Sequence, residues 1–169
     1  MSIRYLTLGA IFAALAAILQ LVPFFFSEMF VLVTMLSAIP IYIISRMNPK
    51  AGIVAYFVSG FLIILFSFHE GLLFFCTNGI IGASLGSCYH YFQRKGIILL
   101  ISTFLLTGAL ITVNYGIGIP VFGGDLPGTA ILQLISLLVF SFLYNTFFFF
   151  FAGFLYRRLK RIGFIDKLA

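Results

Sequence analysis

Long apolar runs dominate this chain, and charges, prolines and glycines interrupt them at intervals. Marking the runs between those breaks predicts helices near Tyr5 to Val22, Phe30 to Ser45, Ala51 to Phe68, Gly71 to Phe92, Gly96 to Ile117 and Ala130 to Tyr156. A helix that crosses a bilayer needs about 20 mostly apolar residues, so once short loops are subtracted the 169 residues leave room for roughly six. The second run is short and carries Pro40, which removes a backbone donor and bends a helix. The pattern predicts an all-α integral membrane protein, a single six-helix bundle over residues 1–169.

Composition agrees, and charge adds an orientation. With 63% hydrophobic and 8% charged residues, a water-soluble fold would expose more apolar surface than a chain of this size can hide. The net charge of +6 would suggest nucleic acid in a soluble protein, but its distribution argues against such a partner. Arg4 precedes the first predicted helix, Arg46 and Lys50 separate the second from the third, and Arg94 and Lys95 separate the fourth from the fifth. Arg157, Arg158, Lys160, Arg161 and Lys167 follow the sixth. The intervening loops hold Glu28, His69, Glu70 and Asp125 without Lys or Arg. Basic residues near helix ends favour the cytoplasm, and six crossings with both termini inside place all 10 there. Five or seven crossings break that segregation.

The implied location is a plasma membrane of bacterial type. No small-residue cleavage site follows the first run, so a cleaved signal peptide is not expected. The basic tail reads as a topology anchor, although Leu159, Ile162, Phe164 and Ile165 also suit it to an anionic lipid surface. Phe147 to Phe151 are expected to meet lipid. Cys76 and Cys88 lie about 18 Å apart along one predicted helix, too far for a disulfide, and are expected as buried thiols.

Catalytic and energy-transducing motifs are missing. No acidic pair faces a histidine at a metal or protease spacing, and no glycine-rich loop precedes a phosphate-binding lysine. His69 and His90 are too distant for a shared helical site. The expectation is no enzyme, no metal and no cofactor. Ion-coupled pumping usually needs ionisable groups at mid-membrane depth, whereas Asp and Glu here fall at helix ends. Any active transport must then borrow its energy from a partner.

Two small-residue series stand out. Ala10 and Ala14, and in the alternative register Ala13 and Ala17, are each one helical turn apart, as are Gly82 and Gly86 in the fourth helix. Such spacing lets another helix approach closely. For the alanines it fits docking of a partner protein or ordinary packing within the bundle; for the glycines, internal packing is expected. Neutral polar residues form a layer toward the outer ends: Gln20, Thr77 and Asn78, Asn114 and Tyr115, and Gln133. Unpaired amides in hydrocarbon cost several kcal/mol, so this layer is either a set of interhelical ties or the lining of an outward cavity for a small polar molecule with flat apolar parts. Asn145 and His90 are expected as satisfied structural groups. Glu28, His69 and Glu70 fit either a positive substrate group or solvated loop charges. The Gly- and Pro-rich loop from Gly116 to Thr129 suits a lid or a connector.

The first helix reads Leu6-Thr7-Leu8-Gly9-Ala10-Ile11-Phe12-Ala13-Ala14-Leu15, and the fourth reads Asn78-Gly79-Ile80-Ile81-Gly82-Ala83-Ser84-Leu85-Gly86. With six helices and both ends inside, this layout resembles the substrate-binding S-components of energy-coupling factor (ECF) vitamin transporters. The likeness in layout covers most of the chain, while the motif itself is confined to the first helix. It implies that Ala10 and Ala14, with Ala13 and Ala17 as the alternative register, dock on a transmembrane coupling subunit driven by two ATPase subunits. It also implies import by toppling in the membrane, with a vitamin-like small molecule bound near the outer face. Metal-specific members carry a histidine close to residue 2, where Ser2 and Ile3 stand here, and thiamine-specific members use a pocket tryptophan, which this chain lacks. A neutral or weakly charged heterocyclic vitamin or precursor is the expected cargo. A non-transport scaffold similar to small cell-shape subunits would share the layout and the alanine face but need no outer pocket.

Overall fold

The structure, a computed structural model, describes residues 3–118 and 130–161, and every regular element in them is helical. In chain order these are α1 (Ile3–Phe25), α2 (Val31–Thr34), α3 (Ala38–Met47), α4 (Pro49–Phe66), α5 (Phe68–Cys76), α6 (Asn78–Tyr91), α7 (Lys95–Ile111) and α8 (Ala130–Arg161). Short 3-10 turns at Glu28–Phe30 and Met35–Ser37 flank α2, and a π-helical stretch, Thr112–Ile117, extends α7. Asp125, Lys167 and most of the loop from Gly116 to Thr129 lie outside the described residues.

Five helical segments among the described residues are long and apolar enough to cross a membrane: Ile3–Phe25, Pro49–Phe66, Phe68–Tyr91, Lys95–Ile117 and Ala130–Arg161. Val31–Met47 is apolar but shorter, about 25 Å at 1.5 Å per residue. Large apolar side chains such as Ile11, Phe57, Phe61, Phe104 and Phe150 point outward, as lipid-facing helices require.

Three expectations for the helices need correction. The second predicted helix is broken, because the chain passes through the turn Met35–Ser37 before entering α3, and Pro40 falls in the first turn of that new helix. Proline disfavours helical geometry in the residue before it and cannot donate to a preceding turn, which suits an early position. The fourth predicted helix divides at Thr77, where φ −124° and ψ −91° leave the helical region. The break frees carbonyls from the ladder, and the Tyr56 hydroxyl donates to one of them, Phe75 O, at 2.9 Å. Finally, α1 continues through Pro23 to Phe25, and α8 runs on to Arg161.

New starts are capped locally. Asn48 leaves the helical region between α3 and α4 and accepts from Ala51 N at 3.1 Å, with Pro49 opening α4. Ser67 does the same for Glu70 N at 3.4 Å before α5.

The most extensive helix pair is α3 with α6, and glycine makes it. A Cβ at Gly82 would sit 2.5 Å from the Ala38 carbonyl oxygen, and one at Gly86 2.6 Å from that of Tyr42. These residues are spacers that bring two backbones together, as their spacing predicts. Hydroxyls add ties: Ser59 Oγ shares its proton between Ala55 O in its own turn at 2.7 Å and Ala13 O of α1 at 3.1 Å, and Ser102 Oγ donates to Ser84 Oγ at 3.0 Å, joining α7 to α6.

Basic residues collect at one end. The Arg46 guanidinium lies 3.8 Å from the Tyr89 ring centroid and 3.9 Å from that of Tyr156, and donates to Tyr42 Oη at 2.7 Å. A small cavity there is also lined by Lys95 and Arg157. His90 Nδ1 contacts Arg46 O at 3.1 Å and so has a partner, as expected. The Phe147 to Phe151 run is divided: Phe147, Phe150 and Phe151 are exposed, but Phe148 packs on Tyr42 and Phe149 stacks on Tyr89. A helix presents such a run all round, so two of its rings must turn inward. Of the two thiols, Cys88 is buried and Cys76, beside the break at Thr77, only half so; both are unbridged.

Substituting Gly82 or Gly86 by alanine is expected to lower stability by about 1–3 kcal/mol, whereas Gly108→Ala, where a Cβ meets nothing within 4 Å, should be neutral or mildly stabilising. Thermal unfolding of the three purified variants in one detergent checks the contrast.

Candidate functional site

A cavity of about 270 Å³ lies at the end of the bundle opposite Arg46. Its polar lining is Gln20, Thr34, Glu70, Thr77, Asn78 and Tyr144, and its apolar walls include Met35, Leu73, Leu106, Leu110 and Phe140. Six of the eight helices, α1, α2, α5, α6, α7 and α8, contribute to this lining, but only a few side chains organise it.

Gln20 is the hub, reaching inward from the last turns of α1 with 2% of its surface exposed. Its Nε2 donates to Glu70 Oε2 at 2.9 Å, and its Oε1 accepts from Asn78 Nδ2 at 3.1 Å and shares the single Ser37 hydroxyl proton, at 2.9 Å, with Thr34 O at 2.6 Å. Asn78, the first residue of α6, is 5% exposed. Its Nδ2 also donates to Thr34 O at 3.0 Å, and its Oδ1 accepts from Tyr144 Oη at 2.9 Å. One network thus links α1, the broken segment around α2, α5, α6 and α8. The local breaks serve this network. Ending α5 at Cys76 lets Asn78 begin a new helix beside Gln20, and the turn Met35–Ser37 presents both the Thr34 carbonyl and the Ser37 hydroxyl.

One wall is aromatic. Phe140 and Tyr144 are a turn apart on α8, and their rings stack with centroids 5.8 Å apart. The result is a flat apolar surface beside an amide pair with one free proton and a carboxylate, suited to a small molecule with a planar body and a polar end.

The six polar residues predicted for a binding layer fall into two groups. Gln20, Thr77 and Asn78 share the cavity. Tyr115 instead hydrogen-bonds Gln133, tying the π-helical end of α7 to the start of α8, and neither lines the cavity; nor does Asn114 in the same π-helical stretch. Ser37, Thr34, Phe140 and Tyr144 were not singled out by sequence. The signal for Tyr144 was a phenol deep in an otherwise apolar run, which demands a hydrogen-bond partner. Glu70, legible only as a loop charge or a substrate contact, lines the cavity while the neighbouring His69 is exposed and does not.

The two alanine registers also separate. Ala13 and Ala17 are buried, Ala13 completely, while Ala17 also borders the outer hollow beside Ala14. Ala10 and Ala14 are exposed. Ala10 borders a shallow hollow of about 100 Å³ with Val54 and Val58, and Ala14 one of about 310 Å³ with Ile18, Leu62 and Phe66. Together these form an apolar seam between α1 and α4 on the outside of the bundle.

Asn145 departs from expectation. It is fully buried, and neither Nδ2 nor Oδ1 has a hydrogen-bond partner; Ser141, one turn earlier, is likewise buried with an unpaired hydroxyl. Among the described residues, no group of three or more His, Cys, Asp or Glu side chains is placed to hold a metal ion.

Comparison of the chain with protein-family models, with curated proteins and with solved structures finds no match. The functional reading rests on the geometry and on the sequence.

The two buried asparagines should respond oppositely to the same substitution. Asn78→Leu strands the Tyr144 hydroxyl and takes a donor from Gln20 Oε1 and from the Thr34 carbonyl, and is expected to destabilise by about 1–3 kcal/mol, whereas Asn145→Leu removes an unpaired amide and should leave stability unchanged or raise it. Denaturation midpoints of the pair in matched micelles give the sign of each.

Proposed function

We propose that this chain is the substrate-binding subunit of a multi-subunit importer of the energy-coupling-factor type, resident in a bacterial cell membrane. In this reading it crosses the bilayer six times, with Val31–Met47 as the short crossing and both termini cytoplasmic. The cavity around Gln20 and Asn78 captures a small vitamin-like molecule at the outer face. The exposed Ala10 and Ala14 face docks on a transmembrane coupling subunit, and two ATPase subunits supply the energy that nothing in this sequence provides.

The observation that carries the proposal is the separation of two features a binding subunit needs. A cavity with a polar hub lies at the end opposite Arg46, Lys95 and Arg157, and a close-approach surface on the outside of α1 shares none of its lining residues. A scaffold subunit needs the second and not the first. Ala10 and Ala14 support docking because they are small, exposed and flanked by apolar hollows that a partner helix would fill.

Replacing Ala10 and Ala14 together by leucine adds bulk to an exposed face, so the bundle is expected to fold and retain solute binding while partner assembly and uptake fall by more than about 10-fold. Loss of binding in the double variant would return this face to internal packing. Native mass spectrometry of the protein gently extracted from its own membrane is the complementary measurement. A vitamin-sized adduct together with coupling and ATPase subunits supports the importer; cell-envelope partners without an adduct support the scaffold.

A further inference from the structure

The hydrogen-bonding capacity of the cavity is one-sided. Asn78 uses both amide protons, one on Gln20 Oε1 at 3.1 Å and one on Thr34 O at 3.0 Å. Tyr144 uses its proton on Asn78 Oδ1 at 2.9 Å. The hydroxyls of Thr34 and Thr77 donate to Val31 O and Leu73 O within their own turns. Of the donors that line the cavity through these side chains, one Nε2 proton of Gln20 remains. Acceptors remain in excess: oxygen lone pairs on Thr34, Thr77 and Tyr144, and the Glu70 carboxylate, which takes one side-chain bond from Gln20 out of about four lone-pair sites.

Charge points the same way. No Lys or Arg lines the cavity, and Arg46, Lys95 and Arg157 lie together at the far end of the bundle. The half-buried Glu70 side chain therefore has no cation of this chain among its neighbours in the lining. The stacked rings of Phe140 and Tyr144 add a π surface, which also favours positive charge. In size, about 270 Å³ is nearly twice the ~150 Å³ cavity that holds benzene, leaving room for one or two rings and a short polar arm.

From this balance we propose that the captured solute is a small organic cation: an ammonium or amidinium nitrogen on an apolar body of one or two rings, donating to the Glu70 carboxylate. The proposal rests on reading the chain as a solute-binding subunit and narrows its cargo to one charge class, replacing the neutral or weakly charged heterocycle that the sequence suggested.

The test uses the full chain in detergent and three probes sharing one ring: 2-phenylethylammonium, 2-phenylethanol and 3-phenylpropanoate, titrated by calorimetry and thermal shift. Glu70→Gln removes the charge while its amide oxygen still accepts from Gln20, so the variant should fold. The ammonium is expected to bind about 10-fold or more tighter than the alcohol, and Glu70→Gln to erase that advantage. Equal binding of the alcohol or the carboxylate, or an advantage that survives Glu70→Gln, overturns the proposal. If no probe binds, the solute released from protein extracted from its own membrane decides. A cationic nitrogen on it supports the proposal, and a neutral or anionic solute overturns it while leaving the binding-subunit reading intact. Absence of any released solute as well as of probe binding overturns both.

Discussion

The Gln20–Asn78 hydrogen bond, 3.1 Å between two buried amides, is the joint around which this bundle is organised. In hydrocarbon an amide has no water to fall back on, so each of its donors and acceptors must be met by protein. Gln20 and Asn78 meet one another and then recruit Ser37, Thr34, Glu70 and Tyr144, and in doing so they fix where five separate chain segments sit. Glycine packing already sets α3 against α6, and the amide pair adds directional ties to α1, α5 and α8, with the cavity as the space left beside it.

Two irregularities that weaken the helical ladder make that joint geometrically available. The break at Thr77 and the turn Met35–Ser37 each interrupt a helix that would otherwise be continuous. Irregular backbone in apolar surroundings is tolerated where it lines a cavity, and Met35 and Thr77 both do so. The freed Phe75 carbonyl is met by Tyr56, and the Thr34 carbonyl by Asn78. Placing the breaks at the cavity lets backbone groups take part in the polar network that an unbroken helix would have kept to itself.

Much of the architecture was legible in the sequence. Apolar run lengths identify the long helices, the spacing of Gly82 and Gly86 identifies a close backbone contact, and the rarity of amides makes Gln20 and Asn78 conspicuous. What stayed hidden is mostly rotational. A helix surrounded by apolar material has no strong one-sided stripe, so nothing in the run from Ile3 to Phe25 tells which alanine register faces outward. The same ambiguity concealed that Tyr144 turns toward Asn78 and that Glu70, near the start of α5, reaches Gln20 across fifty positions of sequence. The grouping of Tyr115 with Gln133, apart from the cavity, depends on how the π-helical end of α7 rotates its side chains, and polarity alone carries no such information.

Arg46 is held at the opposite end by rings from three helices, and two of them, Tyr42 and Tyr89, are in place well before the third, Tyr156, is synthesised. Tyr144, which completes the network around Asn78, belongs to the same last helix. Both ends of the bundle therefore wait for α8. Until that helix packs on the rest, Arg46 has two of its three rings and Asn78 Oδ1 lacks its hydroxyl donor. Closing α8 onto the bundle therefore completes two distant fastenings in a single step.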